Sequence, residues 1–96
     1  MPMYVVLGKM TEQARTSIRE LPERARQLQA MGQQRGMKVH GWYLTQGQYD
    51  VVVIVEAPDD QTMAAQALAV ASRGGTTTET LRAYTLEEAE QIIQKM

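Results

Sequence analysis

The chain has 96 residues, 44% of them hydrophobic and 22% charged, with a formal net charge of −1. That composition suits one globular domain over residues 1–96, and so small a charge sets up no field to draw a nucleic acid backbone or an anionic membrane surface. Without cysteine there can be no disulfide, thiolate nucleophile or iron–sulfur cluster, and most structural zinc sites are excluded too.

The first predicted strand is Met3–Met10, where Met3, Val5 and Leu7 alternate with Tyr4 and Val6. Neither face is polar, the profile of a central strand. The opening MPMYVVLGKM has no basic leader, and Gly8 and Lys9 interrupt its apolar stretch, so it does not read as a secretory signal; a cytoplasmic location is expected. Thr11 can cap a helix whose Met10, Ala14, Ile18, Leu21, Ala25 and Leu28 form one stripe at spacings of three and four. Pro22 falls inside the stripe without shifting its phase, which predicts a kink or a restarted helix. Arg15, Arg19, Arg24 and Arg26 alternate with Glu12, Glu20 and Glu23 and read as a solvated face.

Gly32 and Gly36 mark the end of that segment, and Lys38–Thr45 (KVHGWYLT) reads as a second strand. Strict alternation puts Lys38, His40, Trp42 and Leu44 on one side, with Val39, Gly41 and Tyr43 on the other. Its polar groups suit a sheet edge. Gln46 and Gly47 then reverse the chain into VVVIV, Val51–Val55, which is apolar on both faces and far too short to span a bilayer. Pro58 stops this strand, and Asp59 or Asp60 can cap a helix over 61–73 that presents Met63, Ala64, Ala67, Leu68 and Ala71 inward. Thr76–Tyr84 is a more polar strand, again of edge character, and Thr85 with Glu88 forms a capping-box pattern opening a last helix whose apolar face is Ala89, Ile92 and Ile93.

The order βαββαβ plus a terminal helix is that of an α+β, ferredoxin-like fold: an antiparallel four-stranded sheet with strands one and three in the middle. Both crossover helices then cover one face. The opposite apolar face must be covered by a second copy, or partly by the last helix, since a bare one exceeds what monomers usually tolerate. A homodimer joined sheet to sheet is therefore expected. There is no phosphate-cradling glycine loop and no histidine pair for a metal, so no cofactor and no metal are expected.

Gly47-Gln48-Tyr49-Asp50 followed by VVVIVEAPDD, and later Thr78-Glu79-Thr80-Leu81-Arg82-Ala83-Tyr84, resemble the GYD-domain family of small bacterial proteins over nearly the whole chain. The resemblance implies a dimeric α/β barrel, in the wider company of antibiotic-biosynthesis monooxygenases, muconolactone isomerases and ligand-sensing regulator domains. It implies no particular activity. The family's name-giving positions fall on Gly47, Tyr49 and Asp50.

Each candidate residue has a plainer use beside the functional one. Tyr49 and Asp50 could touch a ligand, but a carboxylate beside a glycine turn more often binds local amides and sets register. Asp59 and Asp60 near Glu56 could hold a hard cation, yet a helix cap accounts for them more economically. His40 beside Trp42 would give an imidazole against an aromatic wall, or simply cross-strand packing. Arg82 could clamp a carboxylate, or pair with Glu79 or Glu56. Three functions stay open: binding a small, aromatic or carboxylated metabolite; a cofactor-independent monooxygenase or isomerase using His40, Arg82 and Tyr43 or Tyr84; or a structural assembly module.

Overall fold

The computed structural model describes residues 1–96. In chain order it has β1 (Met3–Met10), α1 (Glu12–Thr16), a 3-10 turn (Ile18–Glu20), α2 (Leu21–Gln34), β2 (Lys38–Leu44), β3 (Val51–Glu56), α3 (Asp60–Ser72), β4 (Thr76–Ala83) and α4 (Leu86–Gln94). The strands form one sheet in the order β2-β3-β1-β4, every neighbouring pair antiparallel. The two strands without a polar side are thus the inner pair, and the two polar ones are the edges. This is the ferredoxin-like α+β arrangement.

Local chemistry explains the boundaries. The Thr11 hydroxyl accepts the Ala14 N–H and starts α1. The chain then tightens into the 3-10 turn and restarts as α2 with Pro22 in its first turn, where a missing N–H costs nothing. Gly36, at φ 81°, ends that helix in the left-handed region that a side chain would resist. Asp59 caps α3 by accepting the Thr62 N–H at 2.7 Å. Thr85 and Glu88 close a reciprocal capping box at the start of α4.

Register decides which side chains meet which layer. Tyr4, Val6 and Gly8 of β1 lie opposite Val55, Val53 and Val51 of β3, and all six face the helices. Tyr4, Met37, Val55, Ala57 and Met63 make the buried core, with Val6 and Val39 against it. Only 11 of 96 residues are buried, a small core that leaves much apolar surface in contact with water. Val5, Leu7, Val52, Ile54 and Leu81 occupy the other face, and no helix lies over them.

Three expectations about facing directions change. An irregularity between Val39 and Gly41 inserts one extra residue in β2, so Val39, Trp42 and Leu44 share the helix side while Gly41 and Tyr43 take the open side. Strict alternation had joined His40 to Trp42; the bulge separates them. On α3 the inward positions are Met63, Gln66, Ala67 and Val70, whereas Leu68 is 72% exposed, because the helix is rotated so that a glutamine reaches Leu28 on α2. Ile18, in the 3-10 turn, points outward, since three residues per turn break the phase of a 3.6-residue stripe. The last helix does not cover the open sheet face either: its own Leu86 and Ile93 are 77% and 62% exposed.

Candidate functional site

A cavity of about 400 Å³ lies between the helix-facing side of the sheet and the helices. Val6 and Val53 form its floor, Trp42 stands at one side, and Leu21, Leu28 and Val70 form its roof. Gly8 widens the floor, because a methyl group there would come within 3.1 Å of Thr76 Cγ2. Gln66 is the one buried polar side chain, and it is satisfied: Nε2 donates to the Leu28 carbonyl at 3.0 Å and Oε1 accepts from Arg35 at 2.9 Å. Arg24 enters from α2, with Nη1 donating to Ser17 Oγ at 3.1 Å and Nη2 to the Ala14 carbonyl at 3.4 Å. Its charge pattern had placed it on a solvated face, but a long stem lets the guanidinium fold back over apolar surface.

The sequence candidates separate into groups. Trp42 lines the cavity. His40 sits on the bulge, with Nε2 2.8 Å from Glu56 Oε1, on the open side of the sheet. Tyr43 lies on that side too, its ring folded over Gly41 so closely that a Cβ there would meet it at 2.6 Å. On the opposite edge, the Arg82 guanidinium stacks between the rings of Tyr84, 4.4 Å from the centroid, and Tyr4, 5.6 Å away, and donates to the Met3 carbonyl. Edge strands β2 and β4 are three sheet spacings apart, about 14 Å. Within one protomer, His40 and Tyr43 are therefore not brought together with Arg82 and Tyr84.

Gly47, Tyr49 and Asp50 act at the turn. Gly47 takes φ 129°, which favours glycine. Asp50 Oδ2 accepts the Met10 N–H at 2.8 Å and lies 3.5 Å from Arg15, while the Asp50 N–H donates to the Gly8 carbonyl. One residue thus ties the start of β3 to the end of β1. Tyr49 donates to Glu79 Oε2 at 2.6 Å, and that bond, with some desolvation, raises its phenol pKa. The bond to Thr62 instead holds the Asp59 carboxyl below its usual range. Asp60 accepts from the buried Tyr4 hydroxyl, whose pKa is pushed up to about 12, first by burial and then by that bond. Asp59 and Asp60 thus serve as cap and tyrosine partner. No three His, Asp or Glu side chains of the chain converge as a metal site would require.

Sequence reasoning missed Gln66, Arg24 and the Tyr4–Asp60 pair. Gln66 was detectable in principle, since it lies at helical spacing between Met63 and Val70. The Tyr4–Asp60 pair joins residues 56 apart and carries no local signal.

Fold and register define a ferredoxin-like α+β protein with a turn-locked sheet. A family model described as the GYD domain matches residues 4–93. The chain belongs to the GYD-domain family. It is also 37% identical over 84 residues, 86% of this chain and 88% of the relative, to a Thermus thermophilus protein named "Glutamine synthetase and cystathionine beta-lyase binding protein". No solved structure matches the chain at a significant level. No helix is long and apolar enough to cross a membrane.

Proposed function

We propose that this protein is a homo-oligomeric binding module of one domain, residues 1–96, that associates with a second copy through its open sheet face and engages enzymes of primary metabolism as its partners. The observation that carries the reading is the uncovered apolar face of Val5, Leu7, Val52, Ile54 and Leu81. It joins the two inner strands and one edge into one apolar surface, and a second copy turned against it would give the dimeric α/β barrel. The name of the Thermus thermophilus relative supports the choice of partner class. With the sheet face taken by the second copy, the exposed apolar side of α4, with Leu86, Ile92 and Ile93, remains for the enzyme. Partners of that kind put the protein in the cytoplasm.

Light scattering on the purified chain, followed by titration of immobilised protein with glutamine synthetase and cystathionine beta-lyase, tests both halves. Dimer mass and saturable binding to either enzyme are expected; a monomer that binds neither overturns the reading. The cavity supports a second, compatible reading, in which the same protein holds a small metabolite. A cofactor-independent monooxygenase or isomerase gains nothing from the placement of His40, Tyr43, Arg82 and Tyr84, which one protomer does not assemble.

A further inference from the structure

The cavity's chemistry is specific enough to name a ligand class, given the reading that it holds a metabolite. Its volume of about 400 Å³ lies within the range of ordinary small-molecule sites, roughly 300 to 1,000 Å³. Its apolar walls are valine, leucine, methionine and alanine with one indole, a surface that suits a flat or branched apolar body, and its polar side chains include Thr76, Thr78, Gln66 and Arg24. Gln66 is neutral and already hydrogen-bonded to the Leu28 carbonyl and to Arg35, so it adds no charge to the site.

Arg24 differs. It is half-buried, and its two hydrogen bonds go to neutral acceptors, the Ser17 hydroxyl and the Ala14 carbonyl, which leaves other guanidinium N–H donors unused. The ion pairs of the chain are Arg15–Asp50 and His40–Glu56, so Arg24 has no carboxylate partner. Glu20, the acidic residue of the lining, pairs with neither Arg24 nor Arg73, which supplies a second positive charge at the rim. A guanidinium beside an apolar chamber, with neutral partners only, matches a carboxylate in charge and in fork geometry.

We propose that the cavity between the sheet and the helices binds a small amphipathic monocarboxylate, its apolar body over Val6 and Val53 against Trp42 and its carboxylate on Arg24. Trp42 is the sole tryptophan, so its emission reports occupancy directly. The test titrates the full chain with 4-phenylbutyrate and, separately, with the uncharged 4-phenylbutyramide. A saturable change in Trp42 emission is expected with the acid, together with a raised thermal midpoint and binding at least about tenfold tighter than the amide. Arg24→Gln abolishes that preference, whereas Arg19→Gln, on an exposed residue outside the lining, keeps it. If acid and amide bind wild-type protein equally, or Arg24→Gln retains the preference, the carboxylate assignment is overturned while the metabolite reading survives. If neither compound produces a saturable change, both fall. The acid-to-amide comparison on the wild-type chain decides the matter even if Arg24→Gln does not fold.

Discussion

The inner strands give near-identical residue types to both sides of the sheet, and the two sides meet opposite surroundings. Tyr4, Val53 and Val55 face the helices, and Tyr4 and Val55 are 4% and 3% exposed. Val5, Leu7, Val52 and Ile54 face away, with nothing over them in the protomer. The difference does not come from hydrophobicity, which is equal on the two sides. It comes from connectivity, because both crossovers, through α1–α2 and through α3, return on the same side. Apolar alternation tells that both faces are oily; the path of the chain tells which one the helices leave open.

That contrast can be broken most forcefully with one substitution on each side. Val55→Asp buries an unpaired carboxylate in the core and should cost several kcal/mol, enough to abolish the cooperative melt followed by circular dichroism. Ile54→Asp, one residue away on the open face, should leave a folded protomer but halve the mass seen by light scattering. Equal loss of folding from both would mean the two faces are not distinct environments. Next in size, Asp50→Ala removes the acceptor of the Met10 N–H and the Arg15 ion pair, and urea denaturation should show a loss of about 1.5 to 3 kcal/mol.

Tyr4→Phe sharpens the comparison from the covered side, with an expected cost of about 1 kcal/mol for the lost bond to Asp60. The folded pKa of Tyr4, about 12, lies above its ordinary value of 10.0, so the fold favours the neutral phenol. Its contribution is complete below pH 10 and disappears as pH rises through about 12. Melting measured across that window should fall more steeply for wild type than for Tyr4→Phe. The smallest effect belongs to Thr85→Ala, which removes one arm of an exposed capping box and should cost about 0.5 kcal/mol, seen as faster amide exchange confined to α4.

The strand order was legible because Val51–Val55 and Met3–Leu7 have no polar side while Lys38–Leu44 and Thr76–Ala83 do, and burial on two faces is a property of each strand alone. The restart at Pro22 and the Thr85 cap were legible for the same reason, being matters of three or four neighbouring residues. The faces of β2 were not, since a bulge of one residue reverses all that follows and leaves no mark in the alternation around His40. The cavity was invisible for a further reason. It exists where α2 and α3 stand off Val6 and Val53, and a gap between layers depends on packing across the chain. Arg24 read as one surface charge among many because only its fold back toward Ser17 and Ala14 distinguishes it.

Asp50 grips two strands at once, from its side chain to Met10 and from its backbone to Gly8. In this chain the last of the three signature positions is therefore a fastening between neighbouring strands. Asp50 is not among the residues that line the cavity, so the fastening and the chamber are built from different side chains.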